Sequence, residues 1–191
     1  GITGGEPFMN PEIIPIMEEC LSRGLHLLVL TNAMRPMMKL ESQLLSLKNR
    51  YGSAMALRIS VDHFEKALHE DERGKNTWGP MLKGLQWLSQ NGFSIDVAGR
   101  TRWGGSEEEL RNGFAAFFRM HDINIDALDP KKLILFPEMD EKSAVPEITT
   151  ACWDIVGISP EDMMCSSSRM VVKRKGAEKP AGGRHWIYFP E

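Results

Sequence analysis

The first residues in this sequence with types suited to ligand binding are Gly4, Gly5 and Glu6, followed by Pro7. Two adjacent glycines let the backbone adopt positive φ and approach a ligand closely, so that backbone groups can hydrogen-bond an ammonium or a carboxylate. Glu6 adds a negative charge suited to an ammonium, and Pro7 stiffens the exit from the turn. The same tetrapeptide is also typical of a plain strand-to-helix turn with a solvated glutamate, and taken alone it favours that simpler interpretation.

Polar residues alternate with apolar ones in two later segments. Side chains two positions apart share one face of a strand, so each segment has an apolar face for covering helices and a polar face. Large aliphatic side chains fill the inside of a tightly packed barrel, and polar ones there indicate a wet or ligand-filled cavity. Strands with their polar sides in solvent are the alternative, but two such strands together with the glycine turn favour the cavity. The positions on the polar faces, all polar except Ala98, are Arg58, Ser60 and Asp62 in the first segment, and Ser94, Asp96, Ala98, Arg100 and Arg102 in and after the second.

Alternating strands and helices are predicted to position these residues. Ligands of such proteins bind at the carboxyl ends of the parallel strands, where Thr31 and Asn32 also lie. The alternation predicts an α/β fold with a parallel sheet and right-handed crossovers, as in a complete or partial β/α barrel; a doubly wound open sheet is the alternative. Strands are predicted over 25–31, 55–61, 93–97, 133–136 and 164–172, and helices over 10–24, 36–52, 76–92, from 106 onward and over 146–156.

Composition excludes several classes of protein. The 191 residues are 42% hydrophobic and 26% charged with a net charge of −3, unlike a disordered, collagen-like or disulfide-dense chain. No apolar run approaches the roughly 18 residues of a membrane span, and a slightly acidic balance predicts no nucleic-acid partner. Three scattered cysteines fit neither a disulfide framework nor a four-thiolate metal site. We therefore expect a cytoplasmic protein.

Both ends of the chain predict a fragment. Residues 1–3 have the character of a strand end, and the basic, glycine-rich segment 173–184 leads into an apolar tetrapeptide with no evident partner strand. We expect a partial barrel over residues 1–160. We also expect a C-terminal strand and a basic tail over residues 161–191, which would be the start of a truncated extension.

Several segments stand in an order and spacing that resembles the radical S-adenosylmethionine (SAM) superfamily over about residues 1–137. No single motif carries the resemblance, which depends on their order. The segments are Thr3–Phe8, Asn10-Pro11 with the following helix, Leu28–Asn32, Arg58–Asp62, His69–Gly74 with the helix up to Gly92, and Ser106–Leu110.

The resemblance implies a partial barrel of the radical SAM type and an enzyme that cleaves SAM reductively with a [4Fe–4S] cluster. The 5′-deoxyadenosyl radical so formed abstracts hydrogen from a substrate, here an undetermined small molecule or peptide, and an electron donor is needed. The implied SAM-binding residues are Gly4, Gly5 and Glu6 for the amino group, Ser60 and Asp62 near the ribose or carboxylate, Asn32 beside them, and Arg100 or Arg102 for the carboxylate.

The cysteines of this sequence depart from the pattern of the radical SAM family. Its cluster is held by three closely spaced cysteines, CxxxCxxC, and Cys20, Cys152 and Cys165 cannot form that motif. We expect the cluster ligands upstream of Gly1, no metal site in these residues, and no activity from this chain alone. The alternative function is a non-catalytic β/α ligand-binding or scaffold domain. A metal loop around His63 and His69 is disfavoured against a solvated acidic loop.

Overall fold

The computed structural model describes residues 1–138 without interruption and, beyond them, residues 152–157, 159, 161, 170–172, 176, 178 and 181–183. Strands and helices alternate through the continuous part. The strands are β1 (Leu27–Thr31), β2 (Met55–Asp62), β3 (Ser94–Arg100), β4 (Leu133–Phe136), β5 (Met170–Val172) and β6 (Ala181–Gly183). The helices are α1 (Ile13–Ser22), α2 (Arg35–Met38), α3 (Glu41–Tyr51), α4 (Lys66–Arg73), α5 (Trp78–Gln90), α6 (Glu107–Met120) and α7 (Cys152–Val156), with 3-10 helices at Pro7–Met9 and Gly52–Ala54.

Strands β1 to β4 form one parallel sheet whose spatial order follows the chain order. A doubly wound sheet reverses its strand order at a switch point, and no reversal occurs among the described strands. Ile2 forms a parallel bridge with Val29 at the other edge of β1, which confirms that residues 1–3 have the character of a strand end. The four-stranded sheet is open, so the α/β fold predicted from the sequence is confirmed in the form of a partial β/α barrel.

Helices cover one face of this sheet. The alternating residues Val29, Leu57 and Val97 are fully buried there. Side chains of α1, α3, α5 and α6 complete the same core, including Met17, Leu44, Leu85 and Phe114. The other face carries half-buried side chains outside that core cluster, and we call it the open face; its central residues are Leu30, Arg58, Ser60 and Ala98.

Two glycines bring helices unusually close to the strand ends. A Cβ atom on Gly84 of α5 would lie 1.8 Å from the carbonyl oxygen of Ala33, which follows β1. A Cβ atom on Gly113 of α6 would lie 2.3 Å from the ring of Phe64, which follows β2. These helices therefore fix the loops that leave the carboxyl ends of β1 and β2.

Some elements differ from the sequence prediction. The helix expected over 36–52 is two helices, α2 and α3, separated at Lys39 and Leu40. The acidic segment expected as a loop is α4, and residues 181–183 of the expected tail form β6, antiparallel to β5. Within the helix expected over 146–156, only residues 152–156 are described, and they are helical. Of the strand expected over 164–172, the described part is β5.

The chain divides into two units, Gly1–Met139 and Asp140–Glu191. The first contains the parallel sheet and its helices, and the second contains α7 and the β5–β6 pair. The functional boundary expected at residue 160 stays a prediction. Among the described residues, no helix combines the length and apolar character needed to span a bilayer.

Candidate functional site

Glu6 attaches the glycine turn to the end of β1. Its Oε1 accepts hydrogen bonds from the Thr31 hydroxyl at 2.9 Å and the Phe8 amide at 3.2 Å, and its Oε2 accepts from the Asn32 amide at 2.8 Å. Gly4 and Gly5 are exposed, with φ of 101° and 50°, and a Cβ atom on either would meet nothing within 4 Å. The turn therefore needs glycine for its backbone conformation and leaves open space beside it.

The end of β1 is itself fixed by local hydrogen bonds. Thr31 is buried, and its hydroxyl oxygen also accepts from the Ala33 amide at 3.1 Å. The Asn32 side-chain oxygen accepts from the Met34 amide at 3.0 Å, closing a turn in which Ala33 has a φ of 56°. The side-chain oxygen of Asn32 is thus occupied by the Met34 amide. The side-chain nitrogen of Asn32 has no hydrogen bond among the described residues.

A bulge at the end of β2 turns Asp62 out of the regular strand. The register with β3 shifts between Ser60 and Asp62, and Asp62 has a φ of 60°. The Val61 carbonyl at the bulge accepts from the His63 amide at 2.7 Å and contacts Nδ1 of His69 at 2.6 Å. Both partners of the Val61 carbonyl therefore lie in the segment that leads into α4 or in α4 itself.

Two arginines bind the Asp62 carboxylate, which belongs to a residue only 2% exposed. Arg73 of α4 donates to both carboxylate oxygens, and Arg100 at the end of β3 donates from Nε to Oδ1 at 3.2 Å. Arg100 also pairs with Glu72 at 3.2 Å, and Arg102 pairs with the same glutamate at 2.6 Å. The hydrogen bond that Arg102 donates to Glu72 raises the pKa of Arg102. These charges tie α4 to the ends of β2 and β3.

His63 lies beside this ionic network in an aromatic environment. Its ring stacks on Phe64 and meets Trp103 edge to face, and its Nδ1 accepts from the Glu65 amide at 3.0 Å. Burial lowers the pKa of His63, while the nearby Glu65 charge opposes that shift. The ring is therefore held neutral, with its proton on Nε2.

The structure brings the sequence-predicted residues to one edge of the sheet. Glu6 contacts the strand end at Asn32, and the pairing of Thr31 with Ile59 places Asn32 next to Ser60 on β2. Asp62 ends the same strand, Arg100 ends β3, and the two residues contact each other. We call this group the edge site; its members are Gly4, Gly5, Glu6, Asn32, Ser60, Asp62 and Arg100.

Sequence reasoning did not assign roles to three further residues at this edge. Thr31 holds Glu6, Arg73 provides two hydrogen bonds to Asp62, and Glu72 bridges Arg100 and Arg102. Arg73 and Glu72 stand in a charged segment whose sequence gives no sign of its partners. Thr31 carried the clearer signal, because a hydroxyl at the buried end of an apolar strand needs a hydrogen-bond partner.

The residues present do not fit an iron–sulfur cluster. Cys20 is half-buried on α1, far in sequence from the other two cysteines, and closely spaced thiolates are absent from the 191 residues. Among the described residues, no group of three or more His, Cys, Asp or Glu side chains could hold a metal ion.

The edge site does fit the polar groups of SAM in part. A carboxylate offers about four lone-pair positions, and Glu6 uses three of them for the chain's own donors, which leaves one for an ammonium. Ser60 on the neighbouring strand is half-buried, and its hydroxyl has no hydrogen-bond partner among the described residues. Asp62 also accepts three hydrogen bonds, but its donors are two charged guanidinium groups, so it contributes by holding Arg100 rather than by binding a further cation.

Comparison with known proteins gives one solved structure of similar fold and one matching family model. The crystal structure of Streptococcus suis SuiB matches with a TM-score of 0.54 and 11% sequence identity, covering 81% of this chain and 33% of that chain. At this identity the likeness shows the fold alone, and this chain spans about a third of the solved one. The curated proteins gave no match. A family model described as the radical SAM superfamily matches residues 1–105. Because these residues are more than half of the chain, the protein belongs to the radical SAM superfamily.

Proposed function

We propose that the edge site binds SAM in an enzyme whose [4Fe–4S] cluster is held by cysteines outside these 191 residues. The single observation that supports this is the Gly4-Gly5-Glu6 turn, which two hydrogen bonds fix to the end of a parallel strand and a third to the Phe8 amide, and which is open on its other side. Held by those outside cysteines, the cluster would supply the electron for SAM cleavage, and the substrate that would then lose hydrogen is a small molecule or peptide. An electron donor is therefore a required partner, and we place the protein in the cytoplasm.

Each edge-site residue has a distinct task in this proposal. The remaining lone pair of Glu6 and the backbone of the glycine turn receive the SAM ammonium. The Ser60 hydroxyl faces the ribose or carboxylate from the neighbouring strand. Arg100 is held by Asp62 and Glu72 with its guanidinium at the strand ends, where it pairs with the SAM carboxylate.

Titration calorimetry with SAM and with 5′-methylthioadenosine tests the ammonium contact. The second ligand lacks the amino-acid part, so only SAM binding depends on Glu6. We expect weak SAM binding, because the cluster that anchors SAM is not held by these residues. Glu6→Ala should weaken SAM binding about tenfold, the effect of losing one charge-assisted hydrogen bond, and leave the second ligand unchanged.

Glu12→Ala is the matched control, since Glu12 is exposed near the same turn. Equal SAM affinity in wild type and Glu6→Ala would contradict the assignment of Glu6. The coding sequence upstream of Gly1 tests the enzyme proposal independently. Three closely spaced cysteines there support catalysis, and an unrelated domain supports the scaffold alternative.

A further inference from the structure

A buried hydrogen-bond donor without a partner lies in the middle of the open face. Nε of Arg58 is inaccessible to solvent and has no acceptor among the described residues. Buried polar groups in native proteins are almost always paired, so an exception calls for an explanation such as a bound ligand. Arg58 is in β2, two positions before Ser60 of the edge site.

The charges around Arg58 leave it incompletely neutralised. Its Nη2 is 3.7 Å from Oδ2 of Asp96 on β3, which is too long for a hydrogen bond. The other oxygen of Asp96 accepts a hydrogen bond from Lys132 at 3.0 Å. Two cations therefore share one carboxylate, and the group carries a net charge of about +1 by this count. A cation only 24% exposed in its side chain gains strongly from an added anion.

Small side chains separate Arg58 from the edge site. In the sheet register, Arg58 lies between Leu30 and Asp96, and the next residues along the open face are Ser60 and Ala98, which are paired. Neither of these two side chains is long enough to cover the guanidinium. Two strand residues span about 7 Å, so Arg58 lies that much deeper than Ser60.

We propose that Arg58 binds an anionic oxygen group, a carboxylate or phosphate ester, on the substrate that occupies the open face. This inference rests on the proposed function and adds a substrate class to it. The guanidinium can donate two parallel hydrogen bonds to such a group, which an ammonium cannot do. The SAM carboxylate is the other anion available, but Arg100 lies at the strand end where SAM is placed, and Arg58 lies deeper in the sheet.

Side-chain NMR of the 191-residue protein tests the site directly. The Arg58 Nε–H signal is assigned by through-bond correlation from its backbone amide, so the readout does not require a variant to fold. Inorganic phosphate is the probe. We expect a saturable shift of the Arg58 signal at millimolar phosphate, while the signal of Arg119, exposed on α6, does not saturate. A linear shift shared by both arginines means an adventitious ion only and overturns the proposal, as does no shift at Arg58.

Variants test the geometry of binding. Arg58→Lys keeps the charge but loses the planar pair of donors, and we expect at least a tenfold weaker response to phosphate, followed at the Ser60 amide. Arg119→Lys is the matched control and should leave the Ser60 response unchanged. An unaltered phosphate affinity in Arg58→Lys would overturn recognition by the guanidinium.

Addition of SAM distinguishes the two possible sources of the anion. If phosphate still shifts Arg58 in the presence of saturating SAM, the anion belongs to the substrate. If SAM alone shifts Arg58 and phosphate then has no effect, the anion is the cofactor's carboxylate and the substrate assignment fails. The Gly4 and Gly5 amides report SAM binding separately. Their silence, with phosphate still bound at Arg58, would contradict the proposed function and leave the anion site supported.

Discussion

Replacing the Asp62 carboxylate by an amide should destabilise the protein by about 2 kcal/mol. The carboxylate accepts three hydrogen bonds, two from Arg73 and one from Arg100, on a residue that is 2% exposed. Asp62→Asn keeps the shape of the side chain, and Asn tolerates the positive φ of 60° at this position. The substitution therefore isolates the charge from the backbone requirement.

The magnitude follows from the exposure of the partners. Hydrogen bonds to charged groups contribute about 1.5–3 kcal/mol each, so three of them set an upper bound of several kcal/mol. Arg73 and Arg100 are 33% and 39% exposed in their side chains and can turn to water when the carboxylate is lost. The loss of unfolding free energy in Asp62→Asn should therefore be smaller than the roughly 3–5 kcal/mol measured for breaking fully buried ion pairs. Asp62→Ala should cost about 1 kcal/mol more, because alanine resists positive φ.

Urea denaturation of wild type, Asp62→Asn and Asp62→Ala measures these differences. Glu19→Gln is the matched control: it breaks an exposed ion pair with Arg23 on α1, and its cost should stay below about 0.5 kcal/mol. If Asp62→Asn also costs less than about 0.5 kcal/mol, the ionic network does not hold α4 against the strand ends, and the reasoning is wrong.

Two further predictions concern the surroundings of the site. Because the pKa of His63 is lowered from 6.5, the unfolded chain binds a proton first as pH falls; the free energy of unfolding should therefore decrease below pH 6.5 until the folded pKa is passed. His63→Gln should reduce this slope in pH-dependent urea denaturation, and identical slopes would contradict the neutral ring. Gly84→Ala should destabilise by about 2 kcal/mol, since overpacking exceeds the gain in helix propensity. Gly79→Ala on the same helix meets nothing within 4 Å and should be neutral or slightly stabilising in thermal unfolding; equal effects of the two would refute the close approach to Ala33.

Local periodicity was sufficient to predict the parallel sheet. Leu57, Ile59 and Val61 alternate in sequence and are all fully buried on the helix-covered face. On α6 the helical spacing of Leu110 and Phe114 likewise gives the buried stripe. These patterns are visible in the sequence because each strand or helix buries one of its own faces, whatever its partners are.

The sequence could not predict α4 from such a pattern. Among its eight residues only His69 is buried, so the helix presents almost no apolar stripe. Its position depends instead on ion pairs and on the contact of His69 with the Val61 carbonyl. Contacts of this kind depend on the folded sheet and leave no periodic trace in the sequence.

In the edge site, too, the partners of each carboxylate come from distant parts of the chain. The neighbours of Glu6 alone favoured a plain turn with a solvated glutamate, and the Thr31 and Asn32 groups that fix Glu6 are 25 and 26 residues away. The resemblance to the radical SAM family implied that Asp62 lies near the ribose or carboxylate of SAM, but arginines 11 and 38 residues away occupy its oxygens.

A carboxylate at a strand end thus has two possible uses, and the charge of its donors distinguishes them, because Glu6 and Asp62 each accept three hydrogen bonds. Glu6 retains capacity for an ammonium after binding three donors from the chain itself. Asp62 receives positive charge from two guanidinium groups, so its further capacity for a cation is small. The ligand-facing charge at that part of the edge is therefore the arginine. In the proposed function, anions are therefore the preferred ligands at Arg100, as proposed for Arg58, and cation recognition belongs to Glu6.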